Sequence, residues 1–180
     1  MGEEPQTLKV LRHYIKFADN LNDKIGFGTS WLSTTMVFVV CYDVFTRYLL
    51  KKSNVAVQEL EWHLFAVLFL VAAAYTLKHD KHVRVDILYT RFSPKKKAIV
   101  NLTGAIIFLI PFTILIMWTS KGFVVNSFVF KETSPDPGGL PARYILKAFI
   151  PLGSFLLFLQ AFSLTFKSIL TLCGKDEVKD

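Results

Sequence analysis

Charge is scarce in this 180-residue chain: Asp, Glu, Lys and Arg together make up 19% of it, and they stand in the gaps between long apolar runs. A soluble domain disperses its charges and repeats its apolar residues at helix or strand period. Lacking that dispersion, the sequence excludes a soluble globular enzyme, and its apolar content excludes a disordered chain. Cysteine is scarcer still. Cys41 lies inside the first apolar run and Cys173 beyond the last, so the two are read as separate thiols and a disulfide-rich module is excluded. Of four histidines only His63 falls within an apolar run, whereas a bis-histidine haem needs ligands facing each other from two helices. His79, Asp80, His82 and Asp86 lack thiolates and an i, i+4 histidine pair, so no metal site is expected. There is no Walker loop, dinucleotide fingerprint or nucleophile motif. Gly138-Gly139 is followed by Leu140-Pro141 and reads as a turn, not a phosphate cradle. Neither a catalytic nor a cofactor-binding residue is assigned.

What the chain has is hydrocarbon. Hydrophobic residues are 52% of it, with 17 phenylalanines and a mean hydropathy of +0.41. A bilayer core about 30 Å thick needs roughly 20 apolar residues in helix. Four segments meet that need, at 25–50, 60–77, 98–130 and 142–172, within one transmembrane domain over 25–172. The fold expected is an all-α integral membrane protein of four spans. Pro111 and Pro151 lie within the third and fourth and should bend them locally. Ser93-Pro94 offers an N-cap and a first-turn proline to the third. Leu140-Pro141 repeats the proline signal before the fourth, and Gly174 is a stop before the tail 173–180.

Residues 8–25, mostly within the N-terminal segment 1–24, read as an amphipathic helix. Leu8, Val10, Leu11, Tyr14, Ile15, Phe17, Ala18, Leu21 and Ile25 occupy one half of the wheel. Charged and polar residues from Lys9 to Lys24, Asp19 among them, occupy the other, with Asn22 alone on the wrong side. Such a helix lies in the membrane interface, apolar face down, or packs on a partner's helix. The first apolar run starts too late and runs too long for a secretory signal peptide, so it reads as an uncleaved anchor.

With four spans, both termini share a side with the 78–97 connection. That side carries fourteen of the 21 Lys and Arg residues, and the positive-inside rule makes it cytoplasmic. The net charge of +7 is then a topology signal, and no nucleic-acid partner is expected. Asp43 and Arg47 sit four apart near the outer end of the first span and can pair. Glu59 and Glu61 begin the second, where carboxylates favour the helix dipole. No set of acidic residues is spread over several spans, as a proton relay requires. Nor are there matching Gly-interrupted halves, the mark of a complete transporter. A scaffold subunit of something larger remains.

Two stretches are specific. Ala72-Ala73-Ala74, Lys78 and His82-Val83-Arg84-Val85-Asp86 follow the second span. Asp136-Pro137-Gly138-Gly139-Leu140-Pro141, Arg143-Tyr144, Lys147 and Ile150-Pro151 follow the third. In length, span number and both motifs the chain resembles the small membrane subunit of tripartite ATP-independent periplasmic (TRAP) transporters, the DctQ-type permease component. It departs at the second helix, where the family often has adjacent glutamates after a tryptophan. Here Gln58-Glu59 precede Trp62.

The resemblance implies a bacterial inner-membrane complex. A periplasmic binding protein delivers an organic acid to a large membrane subunit, which moves it by sodium coupling. The small subunit braces that partner and itself holds no cofactor. Family substrates include C4-dicarboxylates and sialic acid, and the motifs lean towards the sialic-acid members. The site residues so implied are Asp136, Arg143 and Lys147 in the outer loop, which fix that loop or touch a partner. Arg84 and Asp86 lock the inner loop against the helices or a bound phospholipid headgroup, and Arg47 and Glu59 act at the outer helix ends. The competing classes are a respiratory membrane anchor and a stand-alone channel or exporter. The latter would need more than the polar residues Ser30, Ser33, Thr34, Thr35 and Thr46 of one helix.

Overall fold

The computed structural model describes residues 5–79, 89 and 92–175. They form four long helices: α1 (Gln6–Tyr48), α2 (Val55–Lys78), α3 (Pro94–Val129) and α4 (Arg143–Leu172). All four are long and apolar enough to cross a membrane. Helix α4 is the centre of the bundle, packing against each of the others, while α3 leans chiefly on α4.

The ends follow local chemistry. Asn54 caps α2 by accepting from the Ala56 N–H at 3.0 Å, and so starts it five residues before its apolar run. Ser93 caps α3, with Pro94 in its first turn. Gly174, at φ 68°, closes α4. Its N–H donates to Thr171 and that of Lys175 to Leu170, the paired bonds of a glycine C-cap. Pro111 does not break α3. A π turn at Ala105–Leu109 precedes it, with the Ile110 N–H reaching back to Ala105. The widened turn makes room for a ring that cannot donate.

One expectation differs in form. The amphipathic stretch 8–25 is continuous with the first span, because nothing between Gln6 and Tyr48 breaks the helix. Ile15, Ala18, Asp19 and Asn22 are buried, and the polar pair among them binds α4. The Tyr14 hydroxyl donates to the Leu159 carbonyl at 3.2 Å, and Asn22 donates to Gln160 at 2.7 Å. With Tyr14 also edge-on to Phe166 and Asp19 paired with Lys167, residues 14–22 of α1 meet residues 159–167 of α4.

Charges fall in two belts. Helix α1 carries none between Lys24 and Asp43, α2 none between Glu61 and Lys78, α3 none between Lys97 and Lys121, and α4 none between Lys147 and Lys167. At 1.5 Å per residue these windows span roughly 25–36 Å, bracketing the hydrocarbon thickness. Inside them the packing is done by small residues: Gly26, Ala74, Ala105, Gly153, Ala161 and Ser163 are buried, while Trp118, Phe108 and Phe38 face outward. Small residues let helix backbones approach closely where no water drives association.

Candidate functional site

At the end where α1 turns into α2, residues 130–142 fold over the helix tips. Asp136-Pro137-Gly138-Gly139 is a turn closed by the Gly139 N–H on the Asp136 carbonyl at 3.0 Å. Proline at its second position and glycine with φ 81° at its third are what a type II turn demands. The strand-like return is tied by Ser134 N–H to Leu140 carbonyl and Arg143 N–H to Glu132 carbonyl, at 3.1 and 2.9 Å.

Beneath this loop sits Glu59, 4% exposed. Its carboxylate accepts from the Ser134 hydroxyl, from the Leu140 N–H at 2.5 Å and from the Arg143 guanidinium at 3.3 Å. Two donors from the loop and one from the start of α4 on one carboxylate make Glu59 the clamp that holds α2, the loop and α4 together. The sequence offered only a helix-dipole explanation for this residue. Gly139 is required at its place, because a Cβ there would run into Ser134 and the Glu59 carboxylate. Arg143 also lies over the Trp62 ring, 5.7 Å from its centroid.

A second clamp joins Lys147 of α4 to Glu132, with the ammonium 3.9 Å above the Phe123 ring of α3. Lys147 holds the Glu132 carboxyl below the ordinary glutamate range. A depressed carboxyl contributes stability above its unfolded value and loses it as pH falls through the folded one. The loop is therefore expected to stay clamped at neutral pH and to loosen only well into acid, below the ordinary glutamate value of 4.5. Lys147→Met should flatten that acid limb of the melting profile. A limb of unchanged depth in the variant would show that Glu132 is not its source.

The other expected residues are placed as follows. Asp136 offers its backbone to the turn, accepting from Gly139 and donating to the Ser134 Oγ at 3.1 Å, and its side chain is exposed. Arg47 pairs with Asp43 on α1 as spaced. Arg84 and Asp86 lie outside the described residues. So do Asp80 and His82, and among the described residues no group of three or more potential metal ligands occurs. His63 stacks on Trp62, and its Nδ1 lies 2.5 Å from the Glu59 carbonyl. Both cysteines are free.

Replacing Glu59 by alanine removes the acceptor of both loop bonds and of the Arg143 bond. Trypsin should then cut after Lys131 several-fold faster in the folded chain, with Glu59→Asp in between. Equal rates in all three proteins would mean that the loop holds without the clamp.

At the opposite end a network unforeseen in the sequence joins α1 to α4. The Asp19 carboxylate accepts from Gln160 at 3.0 Å and Ser163 at 2.8 Å, and pairs with Lys167 at 2.6 Å. Gln160 accepts in turn from Asn22. Beside it, Asp23 pairs with Lys78 and meets His79 at 3.3 Å. The one signal available was Asn22, the polar residue on the apolar half of the wheel.

Residues 36–171, more than half of the chain, match the family model described as "Tripartite ATP-independent periplasmic transporters, DctQ component". No curated protein matches the sequence.

Proposed function

The chain belongs to the DctQ component family of tripartite ATP-independent periplasmic transporters, and from that membership we propose that it is the static brace of such a transporter. As the small membrane subunit it supports the large one, which carries an organic acid with sodium coupling. A periplasmic binding protein delivers that acid, a C4-dicarboxylate or sialic acid. The complex sits in the bacterial inner membrane, and the termini of this chain face the cytoplasm.

One observation carries the bracing role. Between the charged belts the buried polar side chains Thr29, Thr113, Ser120 and Thr165 bond carbonyls of their own helices, and Gln160 and Ser163 are taken up by Asp19. These side chains among the described residues are thus spent on the subunit itself and not offered to a substrate anion. At the loop end, Glu59, Arg143, Glu132 and Lys147 are engaged with one another or with the loop. These clamps stiffen the subunit; they do not open it.

The test is reconstitution. Vesicles holding the large subunit with this chain, supplied with binding protein and a sodium gradient, should take up the labelled organic acid. Vesicles holding this chain alone should not. Transport by the chain alone would overturn the bracing role, as would full uptake by the large subunit without it.

A further inference from the structure

We propose that the outward face of residues 9–24 of α1 docks on anionic phospholipid headgroups. The sequence wheel assigned this segment a single apolar face. In the structure that face is divided, since Ile15, Ala18 and Asn22 are buried, Asn22 against Gln160 of α4. Val10 and Phe17 are instead left 68% and 56% exposed. Seven residues apart, they fall on one line along the helix. Lys9, His13, Lys16 and Lys24 are exposed beside them.

Charge decides what covers this face. The two acidic residues of the segment are neutralised from inside the bundle, Asp19 by Lys167 and Asp23 by Lys78. No ion pair among the described residues engages Lys9, Lys16 or Lys24. The surface is therefore a row of ammonium groups bordering two apolar side chains, and the segment's carboxylates among the described residues are each already paired with a lysine of another helix. Position agrees with charge. The Asp19 to Asp23 turn is tied to Lys167 and Lys78, at the belt where hydrocarbon gives way to water. A helix held there sinks its apolar residues among acyl chains and raises its lysines to phosphates. A lysine also carries enough aliphatic stem to reach a phosphate from a backbone at that depth.

The full chain, purified in mild detergent, is melted with added phosphatidylglycerol or phosphatidylcholine. Phosphatidylglycerol should raise the melting temperature more, and high salt should erase the difference, because exposed charge pairs are screened. In Lys9→Gln/Lys16→Gln/Lys24→Gln the preference for the anionic lipid should fall on the order of ten-fold or more. Equal shifts from the two lipids, or an undiminished preference in the triple variant, would overturn the proposal. A second measurement stands independently of that variant. A nitroxide at Val10→Cys in the Cys41→Ser/Cys173→Ser chain, reconstituted in phosphatidylglycerol vesicles, should be reached by oxygen and shielded from a water-soluble nickel chelate. Free access of the chelate would overturn it. Shielding that arises only when the large subunit is present would also overturn it, by giving the face to protein.

Discussion

Alanine at position 19 is expected to lower the stability of the chain by about 3–5 kcal/mol, the cost of breaking a buried ion pair by removing one partner. Asp19 accepts from Gln160, Ser163 and Lys167 together. Gln160 and Ser163 are 1% and 0% exposed, so water cannot replace the lost oxygen without opening the contact between α1 and α4. Asn22 is drawn in as well, since its amide donates to the same Gln160. Asp19→Asn keeps the shape and one oxygen but abandons Lys167, and should lose about half as much. Lys167→Met should lose less than either, because Lys167 is 28% exposed and its aliphatic stem is replaced by another. Equilibrium unfolding in mixed micelles of mild detergent and dodecyl sulfate, followed by tryptophan fluorescence, gives the three values. A loss under 1 kcal/mol for Asp19→Ala would show that the half of α1 before Gly26 is not fastened by this network. In that event the contact of α1 with α4 would rest on Tyr14 and Asn22.

Why this network escaped the sequence and the spans did not is a matter of which forces leave a one-dimensional trace. Hydrocarbon thickness leaves one, because a run of about 20 apolar residues is required wherever a helix crosses. Turn chemistry leaves one too. Asp136-Pro137-Gly138-Gly139 and Ser93-Pro94 need particular backbone angles, and both formed as read. Long-range polar contacts leave none, since Asp19 and Gln160 are 141 positions apart and each alone looks ordinary. Asp19 even sat on the charged half of the wheel, among residues that face water. The one local conflict was Asn22 among apolar neighbours, and that conflict lay at the network. Glu59 was singled out for its place in a first turn, yet its three donors come from a loop and the start of α4, some 75–84 residues further on. A glycine's trace is weaker still. The spacing of Pro151 drew attention in the fourth span, while Gly153 two residues later drew none.

That glycine carries the other large effect. In α4, Gly153 faces the backbone of α2, and a Cβ built on it would stand 2.5 Å from the Leu70 carbonyl oxygen and 2.9 Å from its carbon. Real Cβ atoms do not approach backbone so closely, and a backbone carbonyl in mid-helix cannot swing aside as a side chain would. Gly153→Ala must therefore push α4 away from α2. Overpacking of this kind costs typically about 1–3 kcal/mol, and the rigidity of both partners puts the expected loss at the upper end. The better helix propensity of alanine, worth about 1 kcal/mol, offsets only part of it. Gly153→Leu should do more than destabilise. Helix α4 is the element on which every other helix packs, so displacing it from α2 also shifts Arg143 relative to Glu59 at the loop end. The leucine variant should then show both a lowered melting temperature and faster tryptic cutting after Lys131, although position 153 lies ten residues along the helix from Arg143. Gly122→Ala is the control, for a Cβ there meets nothing within 4 Å; it should leave the tryptic cutting unchanged and, by helix propensity alone, raise the melting temperature slightly. Equal behaviour of Gly153→Ala and Gly122→Ala would mean that the close approach of α4 to Leu70 is not what holds the bundle at its centre.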